Sequence, residues 1–407
     1  MWGNWGPYHM ARFEAFRSLA DTHGIDVVGL ELFASSPTYG WDRPPTPEGL
    51  IRLELAGPDT TFRARQTLGT AVPALWRCRP DIVFVPSYWH WSLVLNATGR
   101  MRGAQIVMMN DTHAGTAAAT GWRAALKGII VRRFDGALVA GQPHVRYFSG
   151  LGLDESRIIC GYDVIDNESF ATAAAAARTN APGVRKRLEL PERYVLSLGR
   201  LVPKKHLGLL VEAYARLVRS ATRTDVASLV IVGSGECESE LRARCVEARL
   251  PVIDHGVGTN GAASMASDPG VHFYGFRQVD ENPSFYALAE CFVLPSPEEE
   301  WGLVVNEALA CGTPAIVART AGCAEDLVAP WAPDLLVDPH SVDDLARALR
   351  PFVLGDAGPG ARTPPPELMQ SWGVDRFATS AVELTERLVG PSPASHACPE
   401  NRSARSV

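Results

Sequence analysis

A pair of carboxylates, Glu299 and Glu307, brackets a glycine in the run Pro295-Ser-Pro-Glu-Glu-Glu-Trp-Gly302-Leu-Val-Val-Asn-Glu307-Ala-Leu-Ala-Cys-Gly312-Thr-Pro314. The apolar stretch Cys291 to Leu294 stops at Pro295, as a buried strand does. Gly302 then opens a helix that Gly312 closes, and Ala315 to Ala318 reads as the next strand. A strand, a loop, a helix and a strand make one parallel crossover. The helix mouth offers unpaired backbone N–H groups at Gly302 and Leu303, where no side chain blocks an approaching phosphate. Such a mouth can hold a diphosphate while the two carboxylates accept hydrogen bonds from sugar hydroxyls. On a helical projection Glu307 shares its face with Leu303, Ala310 and Cys311, none of which pairs with a carboxylate. The alternative for Glu298, Glu299 and Glu300 is that they complement the helix dipole.

Cations suited to the same anion stand in Gly199-Arg200-Leu-Val-Pro-Lys204-Lys205, directly after an apolar run from Tyr194 to Leu198. Arg200 supplies a forked donor and Lys205 a compact charge; the alternative is a pair of surface cations. Gly233-Ser-Gly235 lacks the third glycine of a dinucleotide fingerprint and is explained by a tight turn. Three further loops close strands: Gly275-Phe276-Arg277-Gln278, Asn110-Asp111-Thr112-His113-Ala114-Gly115, and Gly3-Asn-Trp-Gly-Pro-Tyr8-His9 ahead of the first helix. In doubly wound sheets this edge is where ligands bind. His113 also reads as a solvated loop histidine, and His9 as a residue of the first helical turn.

The elements that position these loops follow from periodicity. A helix runs from 7 to 23, with Phe13, Phe16 and Ala20 on one face, and a strand from Ile25 to Phe33. A proline- and threonine-rich loop reaches about Thr61. Next come a helix (62–77), a strand (81–85), a helix after Pro86, a strand (105–109), a basic helix (122–134), a strand (136–140) and a helix (143–151). Beyond 190, strands at 194–198, 228–232, 271–274, 291–294 and 315–318 alternate with helices, one carrying Leu207, Leu210, Tyr214 and Leu217 on one face. The fold class is therefore α/β, with two doubly wound parallel-sheet domains. We divide the chain into an N-terminal domain (1–163), a linker with one or two short helices (164–190), a C-terminal domain (191–365), a helical segment crossing back (366–389) and a disordered tail (390–407). Only Met1 and Trp2 precede the first loop, too few for the apolar strand that normally lies at the centre of such a sheet. The expectation is a natural product that begins upstream; the alternative is a locally rebuilt sheet.

Two glutamates eight apart, with Trp-Gly-Leu-Val between them and Glu-Ala-Leu-Ala-Cys-Gly-Thr-Pro after, resemble the signature of glycosyltransferase family four. The Gly-Arg…Lys loop is similar as well, although His206 stands where that family often has glycine. The resemblance implies the GT-B architecture and retaining transfer from a nucleoside-diphosphate sugar, with no resident cofactor; since no Asp-x-Asp stands at a cleft-facing strand end, the transfer is expected to be metal-independent. It implies that Glu307 holds the ribose, Glu299 the donor sugar, and Arg200, Lys205 and the Gly302–Leu303 backbone the diphosphate. Phe276 and Arg277 would lie against the base. Asp111 and His113 would face the transferring sugar, the leaving phosphate or the acceptor, where the family often has a histidine at the position of Asn110 or Asp111. The helix at 366–389 would cross back onto the N-terminal domain.

The bulk numbers set limits. A formal charge of −6 over 407 residues argues against a nucleic-acid partner. Eight scattered cysteines without a C-x-x-C pair read as reduced thiols, in keeping with a cytoplasmic protein. Membrane contact is expected to be peripheral at most, through Arg123, Lys127, Arg132 and Arg133, which otherwise form a solvated helix face. The acceptor is left open between a small molecule, a glycan and a lipid-linked sugar. Seven of the ten tryptophans, Trp5, Trp41, Trp89 and Trp91 among them, fall within the first 122 residues, either lining an acceptor site or packing a core. The rival functions are a sugar-nucleotide epimerase or phosphorylase on the same fold, and a non-catalytic nucleotide-sugar-binding subunit.

Overall fold

The computed structural model describes residues 1–35, 40–58, 67–88, 91–117, 121–221, 226–255, 269–355 and 362–390. In the N-terminal domain β1 (Gly29–Ser35) and β2 (Leu50–Pro58) form a parallel pair, and β3 (Ile82–Pro86), β4 (Gln105–Asn110), β5 (Gly136–Val139) and β6 (Ile158–Cys160) a parallel sheet in that order. Between β1 and β3 lies the dipeptide Met1–Trp2. The Met1 ammonium donates to the Phe84 carbonyl, the Trp2 N–H donates to Leu30, and Leu32 donates back to Trp2. Burial pushes the Met1 ammonium down to about 5.

The second domain is a seven-stranded parallel sheet. Its strands are β7 (Tyr194–Leu198), β8 (Ser228–Val232), β9 (Val252–Asp254), β10 (Val271–Phe273), β11 (Cys291–Leu294), β12 (Ala315–Ala318) and β13 (Leu336–Val337), in the order β13-β12-β11-β7-β8-β10-β9. β8, β11 and β12 are buried at every position, which is why they read as unbroken apolar runs: helices cover both faces. Both domains are Rossmann-like.

Some expectations shift. The first strand begins at Gly29 rather than Ile25, because Gly24 takes a φ of 68° and the Ile25 N–H closes the preceding helix onto Ala20. The loop expected to about Thr61 contains β2, whose Leu50 and Leu55 are buried; Pro44, Pro45 and Pro47 mask its alternation in the sequence. The helix expected at 62–77 is a turn at Thr67–Ala71 followed by Val72–Cys78, and its residues 62–66 lie outside the described residues, as do Trp89 and the tail from 391. β6, β9 and β13, two or three residues each, were not expected. The linker 164–190, read with one or two short helices, holds two, Asn167–Thr179 and Ala181–Leu188, and Arg178 donates to the Cys311 carbonyl of the second domain. The last helix, Val374–Val389, packs on the first, Pro7–Thr22, with Phe377 against Trp2 and Phe16.

Two local devices set the cleft loops. Buried Glu31 accepts the Trp5 N–H at 2.9 Å and pairs with Arg43 and Arg52, tying the loop before the first helix to β1. Gly233 (φ 136°) lies against Gly199, where a Cβ would overlap the Gly199 carbonyl oxygen. Gly233→Ala therefore pushes on the loop that carries Arg200. The expected outcome is a cost of about 3–5 kcal/mol in denaturant unfolding of the second domain, against about 1 kcal/mol for Gly24→Ala, where the added methyl meets nothing within 4 Å.

Candidate functional site

Gly302 takes a φ of 104° and caps the helix Leu303–Ala310; the Val305 N–H closes onto the Gly302 carbonyl at 2.8 Å, which leaves the N–H groups of Leu303 and Val304 as the helix mouth. Lys205 Nζ contacts Glu299 Oε2 at 2.5 Å, and Lys204 Nζ contacts Glu300 Oε2 at 2.7 Å. Consecutive lysines thus meet consecutive glutamates. Burial pushes the Glu300 carboxyl up, but the Lys204 ammonium more than offsets it and leaves it below its ordinary value. Arg200 is half-buried on the same loop as the lysines. An incoming diphosphate can take over the lysines and leave the Glu299 carboxylate to a sugar hydroxyl.

The other domain reaches this loop through its backbone. His113 Nε2 lies 3.0 Å from the Glu299 carbonyl, and His144 Nε2 lies 2.9 Å from that of Glu300. Gly115 N–H donates to His113 Nδ1, and Gly141 N–H to His144 Nδ1. The hydrogen on each ring is therefore assigned to Nε2, which donates to the carbonyl. Burial pushes His144 down to about 4.

Glu307 is 1% exposed and its partners come from other elements. Tyr8 Oη donates to Oε1 at 2.5 Å from the first helix of the N-terminal domain, and Asn282 Nδ2 to Oε2 at 3.2 Å. Burial still pushes its carboxyl up to about 7, against the donors that lower it. Trp41 packs edge-on against Tyr8, 5.3 Å between ring centroids. Nearby, Gln278 bonds Gly40 and Asp42 across the cleft, Phe276 is 43% exposed, and Arg277 Nη2 reaches the His255 carbonyl at 3.4 Å.

Asp111 follows β4 and is pushed up to about 7, first by burial and then by the Asp163 and Glu300 carboxylates. Buried Arg12 pairs with Asp163 at 3.2 Å and donates to the Val164 carbonyl. Trp5 is a core residue, 1% exposed.

The structure brings Lys205, Glu299, Gly302, Leu303 and His113 together and sets Asp111 within electrostatic reach of Glu300. Glu307 lies deeper, against Tyr8, and Arg277 points toward β9 and β10. Sequence reasoning missed Tyr8, Asn282, Lys204 and His144 as site residues. His144 left one trace, since Gly141-Gln-Pro-His144 begins a helix after a strand; Tyr8 and Lys204 stand in loops the sequence singles out, though without a role of their own, and nothing local marks Asn282.

Residues 192–353 match the family model of glycosyl transferases group 1. A D-inositol 3-phosphate glycosyltransferase from Salinispora tropica is 32% identical over 208 residues, 50% of this chain and 40% of that protein. The matched segments span 38–53% of the length of the first curated relatives. Among solved structures, sucrose-phosphate synthase from Thermosynechococcus elongatus is 21% identical with a TM-score of 0.63, covering 93% of this chain and 92% of that one. Anabaena HepE in complex with UDP is 15% identical with a TM-score of 0.58, covering 83% and 85%. At these identities the structural likeness is one of fold.

The raised Glu307 carboxyl gives a pH signature. The folded state holds this proton up to about pH 7 while the unfolded chain releases it in the ordinary carboxyl range. Its contribution to stability therefore falls as pH rises through that window and is constant above it. In Glu307→Gln this component is absent. Thermal unfolding across pH 5 to 8 should show a smaller decline, or a larger rise, in the variant than in the wild type.

Proposed function

We propose that this chain, whose residues 192–353 belong to the group 1 glycosyl transferases and whose two domains have the GT-B architecture, transfers a sugar from a nucleoside-diphosphate donor to an acceptor hydroxyl. The observation that carries this reading is the pairing of Lys204 and Lys205 with Glu300 and Glu299 at the mouth of the helix that Gly302 opens. The donor diphosphate lies on Arg200, Lys205 and the N–H groups at Leu303, which meet the charge that grows as the sugar departs. Glu299 accepts from the donor sugar hydroxyls, and Glu307 from the ribose. Phe276 and Arg277 lie on the base side, and Asp111 and His113 on the side of the transferring sugar and acceptor.

The transfer retains configuration. The acceptor oxygen attacks the anomeric carbon on the face the phosphate leaves, the bond to the phosphate oxygen breaks, and that oxygen takes the acceptor proton. No metal is required, since the fixed cations and the helix mouth supply the positive charge. The acceptor is a small molecule, a glycan or a lipid-linked sugar. The protein works in the cytoplasm, and the membrane contact we propose is peripheral. Supporting it, Trp122 is 72% and Ile129 55% exposed on a helix that also carries Arg123 and Lys127. No helix among the described residues is long and apolar enough to cross a membrane.

Arg200→Ala and Lys205→Ala should each lower kcat/KM by an amount worth about 2–4 kcal/mol, measured as nucleoside-diphosphate release with acceptor present. Near-wild-type turnover in both would remove the diphosphate assignment. Release should persist in EDTA; loss restored by magnesium or manganese would contradict the metal-free route. An epimerase would convert the donor without acceptor. Sedimentation with anionic vesicles should fall for Trp122→Ala with Ile129→Ala, while unchanged sedimentation would place membrane contact elsewhere or nowhere.

A further inference from the structure

We propose that His144, together with His113, is a positioning pair through which the N-terminal domain sets the acidic loop of the C-terminal domain. The loop is held at two levels. Its carboxylates are held within the C-terminal domain, by Lys204 and Lys205. Its carbonyls are held from across the cleft, Glu299 by His113 and Glu300 by His144. The two rings meet edge to face, 5.2 Å between centroids, and both are buried, His144 completely. Each accepts a backbone N–H on Nδ1, which turns Nε2–H toward the loop, where Glu300 O lies 2.9 Å from His144, with the Asp111 carbonyl as a further neighbour of that ring.

The surrounding backbone is built for this approach. A Cβ on Gly115 would stand 2.8 Å from His113 Cε1. One on Gly141 would stand 2.6 Å from the Trp301 ring, and one on Gly322 would overlap the Glu300 carbonyl and meet His144 Cε1 at 3.0 Å. Three glycines on three segments therefore clear the space in which the rings meet the loop. The two carbonyls are not equivalent. Glu299 O also accepts the Gly322 N–H at 3.1 Å, so it keeps a partner without His113. For Glu300 O, His144 is the hydrogen-bond donor found among the described residues. A carbonyl that is partly buried and loses its donor is left short of hydrogen bonds, so the loop shifts when His144 Nε2 is lost. The consequence is that Glu299 and Glu300 take up their places against Lys205 and Lys204 only when the domains are together. Donor can bind the C-terminal domain alone, but transfer needs the clamp.

This inference rests on the glycosyl-transfer reading for its kinetic arm and is independent of it for its structural arm. Two variants separate the ring nitrogens. His144→Asn keeps an acceptor for the Gly141 N–H but cannot reach Glu300, whereas His144→Gln places a donor near Nε2 and gives up the bond to Gly141. The clamp predicts that Asn lowers kcat about tenfold or more, leaves UDP affinity within about threefold, and speeds hydrogen exchange of amides 299–303. Gln should restore kcat and exchange close to wild type. Capping the 142–150 helix as the sole role of His144 predicts the reverse ranking, and that result overturns the proposal. Should the wild type transfer no sugar, exchange alone decides: faster exchange in Asn but not in Gln upholds the clamp, and no difference between them defeats it.

Discussion

Everything in the cleft depends on placing two carboxylates, side by side and half-desolvated, at the positive mouth of a helix. Glu299 and Glu300 are affordable there because each has its own lysine within 2.7 Å. Pairs of this kind contribute little net stability, since desolvation consumes most of the attraction. What they provide is a charge arrangement that an anion can rewrite: a diphosphate competes for the lysines, and each lysine that turns to it exposes a carboxylate to a sugar hydroxyl. Arg200 stands on the same loop as the lysines, and Gly233 allows that loop its close approach to β8. The strands beneath are predominantly apolar, so most of the polar variety lies in the loops at their ends.

The second dependency is between domains. Tyr8 from the first helix bonds Glu307, Gln142 donates its backbone N–H to Asp326, and the histidines hold the acidic loop. The helix Val374–Val389, although it follows the C-terminal domain, packs against the first helix and against β5 and β6 of the N-terminal domain. These contacts make the cleft a joint product of both domains. Glu307 shows the result most clearly: its partners Tyr8 and Asn282 are 299 and 25 residues away in sequence.

That separation explains what could be read in advance. The crossover from Cys291 to Ala318 was legible because glycine, proline and apolar period act locally, and its bounds agree with the structure to within a residue. Helix Leu207–Ser220 was legible for the same reason. The lysine and glutamate loops were each visible, but not that they pair residue by residue. Strand β2 was hidden by nearby prolines, and β6, β9 and β13 are too short to show a period. The 164–190 segment was read with short helices, but its burial comes from docking on helices Asn282–Ala287 and Leu303–Ala310, a tertiary fact. His144 was invisible as a site residue because its partner, a backbone carbonyl, has no sequence signature.

The most direct test of the central claim, that the lysine-paired acidic loop and its helix mouth receive a nucleoside diphosphate, is a calorimetric titration of the full chain with UDP, GDP and ADP. The account predicts that at least one binds at one site per chain, with affinity falling about tenfold or more in Lys205→Ala. Absence of binding by all three, or binding indifferent to Lys205, would contradict it.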